Sequence, residues 1–214
     1  MRQDYCDIIL VLDESGSMEP LQMDTIGGVN KFLKTQREQP GKCVITITKF
    51  ADMPRPVYTG RPIAEAEDLN AKNYSPNGNT ALFDAVGQAI DEAGSRFKAM
   101  KDTDRPGKVL FVIVTDGEEN SSRIRKKDQI KAMIELQQNV YKWEFVFMGA
   151  NIDAFAESAA IGVGGGKTLQ SHATPQSVAR GYSSLAMNTS GYRSGLKADM
   201  DWTEEQRQEQ EDSK

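Results

Sequence analysis

The apolar run Asp7-Ile8-Ile9-Leu10-Val11-Leu12 stops abruptly in Asp13-Glu14-Ser15-Gly16-Ser17. Asp13, Ser15 and Ser17 therefore bring oxygen-bearing side chains to one strand end at alternate positions. In open parallel sheets, ligands bind beyond the carboxyl ends of the strands. Hard oxygen donors of this kind suit Mg²⁺ or Mn²⁺ better than Zn²⁺. Taken alone, the same residues read equally well as a turn and a helix N-cap, where Ser and Asp are common. What separates the two readings is whether the chain supplies further oxygens. Two other stretches do. Asn77-Gly78-Asn79-Thr80 opens a helical pattern, and Thr115-Asp116-Gly117 directly follows the apolar run Val109 to Val114.

The elements that must position these residues alternate along the chain. Asp4 to Asp13 reads as a strand covered on both faces. Met23, Ile26, Val29, Phe32 and Leu33 recur near the helical period between Pro20 and Glu38. Lys42 to Phe50 is rich in β-branched residues and reads as a second strand. Val57 to Thr59, with prolines nearby, reads as a short antiparallel edge strand. Beyond Thr80, one apolar face carries Leu82, Val86, Ala89, Ile90, Ala93 and Phe97. Lys108 to Thr115 and Lys142 to Met148 are further strands, separated by an amphipathic helix from about Arg125 to Val140. A short helix at Asp153 to Ile161, a short strand at Lys167 to Ser171 and a helix from Thr174-Pro175 to Asn188 follow. Alternation of this kind is the signature of βαβ crossovers. The expected fold is α/β, a doubly wound, mostly parallel sheet with one short antiparallel edge strand and helices on both faces.

In such a sheet the ends of the first and fourth strands lie side by side. Asp13 and Asp116 should then converge, and Thr80, opening the crossover helix, can reach the same crevice. This set resembles the von Willebrand factor A domain family and its metal-ion-dependent adhesion site, whose pattern is Asp-x-Ser-x-Ser, a Thr and an Asp on three loops. Asp13, Ser15, Ser17, Thr80 and Asp116 match it without departure. The flanking texts Gly78-Asn79-Thr80-Ala81-Leu82-Phe83-Asp84-Ala85, Val114-Thr115-Asp116-Gly117-Glu118-Glu119-Asn120 and Met148-Gly149-Ala150-Asn151 resemble the bacterial and phage branch. The resemblance is strongest over residues 5–161. It implies direct ligation of Mg²⁺, with Mn²⁺ or Ca²⁺ as substitutes, by the hydroxyls of Ser15, Ser17 and Thr80. It implies water-mediated or orienting roles for Asp13 and Asp116, and non-enzymatic binding of a partner protein that supplies a carboxylate to the metal.

Composition sets outer bounds. The chain has 214 residues and a formal net charge of -5. Asp199 to Lys214 holds seven acids against Arg207 and Lys214, so the rest is nearly neutral and no basic footprint for nucleic acid is present. The expectation is one domain over residues 1–198, its part from 162 a C-terminal strand and helix extension. An acidic tail, disordered or loosely helical, follows over 199–214. No apolar run is long enough to span a bilayer, and no secretory segment is evident, which favours the cytoplasm. Cys6 and Cys43 read as reduced core thiols, though a disulfide between them is geometrically conceivable.

Competing chemistries find less support. The stretch Ile161 to Thr168 has Ile161 where a phosphate loop needs glycine, and reads as a flexible turn. An aspartyl phosphotransferase would need an acid at Ser15. With His172 as the sole histidine, no zinc set can be built. Glu118 and Glu119 read as solvated rim residues, and Arg123, Arg125, Lys126 and Lys127 as a solvated helix face. Asn120-Ser121-Ser122 and Asn188-Thr189-Ser190 read as chance matches to the glycosylation pattern. Two alternatives stay open: a metal-dependent phosphoryl-transfer enzyme with Glu14, Glu118 or Glu119 as base, and a metal-independent scaffold subunit.

Overall fold

A computed structural model describes residues 1–213. Its centre is β1 (Arg2–Asp13), where apolar side chains alternate between two cores because successive residues of a strand face opposite ways. Ile8, Leu10 and Leu12 enter one core, and Ile9 and Val11 the other. Around it stand β2 (Lys42–Phe50), β3 (Pro54–Pro62), β4 (Pro106–Thr115), β5 (Glu144–Ala150) and β6 (Thr168–Ser171). They form a six-stranded sheet of order β3-β2-β1-β4-β5-β6. All neighbours are parallel except β2 and β3. This is the doubly wound fold expected. β3 is longer than the Val57 to Thr59 expected, because an edge strand tolerates prolines whose missing N–H groups would face outward.

Helices cover both faces. α1 (Gln22–Arg37) and α5 (Pro175–Ser194) pack on one core through Val29, Phe32, Tyr182 and Leu185. α2 (Leu82–Lys98), α3 (Lys127–Asn139) and α4 (Ala154–Ala160) pack on the other through Val86, Ile90, Ile130, Ile134 and Ala154. The α1–α5 contact is close: a Cβ added at Gly28 would lie 2.2 Å from the Tyr182 ring. α5 starts as its sequence predicts. Thr174 accepts a hydrogen bond from the Ser177 N–H, Pro175 takes the first turn, and Gly195 closes the helix with φ 81°. Inside β1, the fully buried Asp7 is neutralised by Arg96 of α2 at 2.5 and 3.0 Å.

Of the two forms expected for the acidic tail, the structure shows the helical one. Residues Glu204–Glu211 form α6, opened by a capping box between Thr203 and Gln206. Polar contacts hold it: Arg207 donates to the carbonyls of Thr168, Gly165 and Gly166, and Asn188 donates to Gln206. Met200 and Trp202, just before α6, are buried in the same core as Tyr182, Leu185 and Tyr192. Lys214, the last residue of the tail, lies outside the described residues. Cys6 and Cys43 are free and buried, as register partners on β1 and β2. The glycine stretch ends in a 3-10 turn, Gly165–Lys167, that leads into a strand, and Lys167 is ion-paired with Glu144. Among the described residues no helix is long and apolar enough to cross a membrane.

Candidate metal centre

The parallel register of β1 and β4 pairs Leu12 with Val114, so Asp13 and Asp116 leave the sheet at neighbouring strand ends. The loops after β1 and β4 diverge from that point, which opens a crevice. All five residues picked out by sequence gather there. Ser15 Oγ lies 3.1 Å from Ser17 Oγ, and Ser17 Oγ donates to Asp116 Oδ1 at 2.7 Å. Thr80 is placed through Gly117: a Cβ built there would lie 3.1 Å from Thr80 Oγ1, 3.5 Å from Ser17 Oγ and 3.9 Å from Asp13 Oδ2. Side-chain oxygens of three separate loops thus face one small space, kept open because residue 117 carries no side chain. Ser17 is exposed at its mouth, while Asp13, Ser15, Thr80 and Asp116 are buried.

The helix-cap reading meets a direct check. Ser15 precedes the 3-10 turn Gly16–Leu21 at the cap position, yet its side chain makes no cap bond. Thr80 does not cap α2 either. Ala81 holds that position, and the helix's first N–H groups are served by Glu119, which accepts from Phe83, and by Ser122 Oγ, which accepts from Asp84. The hydroxyls of Ser15 and Thr80 are therefore not spent on capping.

Both carboxylates are oriented by the chain. Asp13 Oδ1 accepts from the Ser15 N–H at 2.7 Å, and Oδ2 accepts from Thr115 Oγ1 at 2.5 Å. Burial pushes the Asp13 carboxyl up to about 6, although the hydrogen bonds from Thr115 and Ser15 pull it down. Asp116 is also raised by burial, against its bond from Ser17. A buried carboxylate held above its ordinary range gains from a cation beside it.

Several supporting residues were not marked by the sequence reading. Tyr74 donates to the Asp13 carbonyl at 2.6 Å from a loop that showed no periodic signal. Glu14 is buried; Oε1 accepts from Lys49 Nζ at 2.8 Å and from the Ser75 N–H at 2.6 Å. Its carbonyl accepts from the Asn77 N–H at 2.9 Å, so the loop carrying Thr80 is bolted to the first loop. Asn120 holds Thr80 from the other side, accepting from its N–H and donating to its carbonyl. The one signal for Thr115 was its place as the polar residue ending an apolar strand. Glu119 corrects its expected role as a solvated rim residue. Besides Phe83, its carboxylate accepts from the N–H groups of Ser121 and Ser122, which ties the third loop to α2. Asp84 does the same, accepting from the N–H groups of Arg123, Ile124 and Arg125. Arg123 to Lys126 accordingly form a clamped loop before α3 rather than a helix face, and Arg125 pairs with Asp91.

The donor set suits a divalent cation in its chemistry: hydroxyl and carboxylate oxygens, with glycine at the point of closest approach. Among the described residues no group of three or more His, Cys, Asp or Glu is placed to hold a metal, so the hydroxyls are essential to any such site.

Comparisons with known proteins agree with this architecture. The model of the von Willebrand factor type A domain matches residues 7–168. No curated protein matches the chain in sequence. Among solved structures, proximal thread matrix protein 1 of the mussel byssus, with a zinc-occupied MIDAS motif, is similar at TM-score 0.59 and 14% identity over 87% of this chain and 46% of its own. A von Willebrand factor type A protein from Catenulispora acidiphila is similar at 0.56 and 14%, over 87% and 43%. The pilus adhesin SpaC of Lactobacillus rhamnosus GG is similar at 0.63 and 15%, over 87% and 30%. The chain spans less than half the length of each of these proteins.

Proposed function

The chain belongs to the von Willebrand factor type A domain family, and from that premise we propose that it is a metal-dependent protein-binding module and not an enzyme. In this reading Ser15, Ser17 and Thr80 hold Mg²⁺ through their hydroxyls, with Mn²⁺ or Ca²⁺ as substitutes, and Asp13 and Asp116 orient them or act through water. The observation that carries it is the convergence of Thr80, Ser17 and Asp13 oxygens on the space above Gly117. Bound there by neutral hydroxyls, the cation supplies unneutralised positive charge that a partner's carboxylate can meet. The mussel protein's site holds zinc. For this chain the assignment to Mg²⁺ rests on its hydroxyl donors, which favour a hard cation.

Two of the three carboxylates available as a general base are committed elsewhere. Glu14 is bound by Lys49 and Ser75, and Glu119 by Phe83, Ser121 and Ser122. That favours binding over phosphoryl transfer. The flanking sequences support a bacterial or phage protein.

Affinity capture tests the reading. Immobilised protein should retain partners in Mg²⁺ and release them in EDTA, and the Ser15→Ala/Ser17→Ala variant should retain none. Hydrolysis of phosphate esters should not exceed that of the variant. Partner capture by the double variant as strong as by the parent in Mg²⁺ would sink the proposal.

A further inference from the structure

At the opposite pole of the sheet, a groove of about 350 Å³ opens between the C-terminal ends of α2 and α3. Pro106 and Gly107, which begin β4, line it, and the buried Trp143, just before β5, forms part of its floor with Phe97 and Val109. β4 runs from here to the crevice, so the two poles are about 30 Å apart by the rise of a strand. Phe97 and Trp143 meet edge to face at 5.7 Å and give the floor a rigid aromatic surface. Among its lining residues, large apolar side chains face solvent: Met1 is 66%, Leu136 48% and Tyr141 54% exposed. Exposed large apolar residues concentrated around one concavity mark an interaction site.

Its charge is equally uneven. The chain as a whole is acidic, at -5, yet the charged side chains lining this groove are Lys98 and Arg105, with no acid among them. Lys101 and Lys142 are exposed nearby. Asp102 pairs with Arg105 at 2.7 Å and Asp104 is exposed beside it, so selection of an acidic group falls chiefly on Lys98. Gly94 of α2 borders the groove, and a Cβ added there would meet no atom within 4 Å.

We propose that this groove docks a short amphipathic segment of a partner protein, with one or two aliphatic or aromatic anchors flanked by Asp or Glu, independently of any metal. The apolar floor and rim accept the anchors, as in helix-in-groove recognition, and the basic side chains select the acidic flank. The chain would then hold two partners at opposite ends of one rigid sheet.

The test uses the full chain and a display library of random 12-residue peptides, with binding of the recovered peptides measured by fluorescence anisotropy. Gly94→Leu is the key variant. It replaces glycine in a helix by a better helix former, so the fold should hold or gain stability, while the new side chain fills the groove. The expected result is a set of peptides with apolar anchors beside Asp or Glu. They should bind equally in Mg²⁺ and EDTA, lose at least tenfold in affinity with Gly94→Leu and Leu136→Asp, and weaken several-fold with Lys98→Glu. Four outcomes overturn the proposal: no peptide whose binding depends on Gly94 and Leu136, dependent peptides without acids, binding that needs the metal, or self-association of the chain that Gly94→Leu abolishes.

Discussion

At the scale of single residues, the candidate centre depends on side chains with no room to adjust. Gly117 is the sharpest case. Its missing Cβ would sit 3.1 Å from Thr80 Oγ1, so Gly117→Ala should leave the circular dichroism spectrum unchanged and lower divalent-cation affinity at least tenfold, read by calorimetry. Thr115 is the second. Thr115→Val keeps shape but removes the bond to Asp13 Oδ2. A buried acceptor that loses a donor costs about 1–3 kcal/mol in its charged form. The Asp13 carboxyl, already pushed up to about 6, should rise further, and cation binding should need a higher pH than in the parent, seen in affinities measured from pH 5 to 8. The five oxygen-bearing residues were legible because Asp-x-Ser-x-Ser, Thr and Asp are each local in sequence. Thr115, Tyr74, Glu14 and Asn120 were not singled out as supports, because their bonds join residues far apart in the chain and depend on loop paths that no short pattern specifies.

At the scale of elements, the three loops are not independent. Glu14 joins the first to the second through Ser75 and Asn77, and Asp84 and Glu119 anchor the third to the start of α2. Asp84→Ala would leave the Arg123, Ile124 and Arg125 N–H groups without their acceptor. The loop should loosen at a cost of about 1–3 kcal/mol, with faster hydrogen exchange at those three amides and little change in β1 or β4. If exchange instead rises evenly across the sheet, Asp84 supports the global fold and not the loop. The strand and helix alternation could be read from apolar periodicity, which reports burial. The capping of α2 could not, since the acceptors for its first N–H groups come from Glu119 and Ser122, nearly forty residues downstream. β3 was underestimated for a related reason: its prolines argue against a strand except at an edge.

At the scale of the whole molecule, strand order follows from the doubly wound rule once the alternation is recognised, and it alone brings Asp13 beside Asp116. The tail was less legible. α6 is held by Arg207, Gln206 and neighbouring carbonyls rather than by an apolar stripe, so a pattern of hydrophobicity carries no trace of it. The buried centre should also mark the stability of the molecule. Burial pushes the Asp13 carboxyl up to about 6 in the folded chain, against about 3.9 in an unfolded chain. Between those values the folded state binds more protons, so this carboxyl's contribution to stability is full below about pH 4 and lost as pH rises through about 6, on the order of 3 kcal/mol. In EDTA, urea unfolding of the parent should show that loss relative to Asp13→Asn, and Mg²⁺ should restore stability at pH 7. The most direct measurement of the central claim is titration of Mg²⁺ into the metal-stripped protein at pH 7 by calorimetry, with Mn²⁺ followed by electron paramagnetic resonance. The parent should bind one cation per chain, and the folded Ser15→Ala/Ser17→Ala variant should bind none. Absence of binding to the parent, or equal binding to both proteins, would contradict the account.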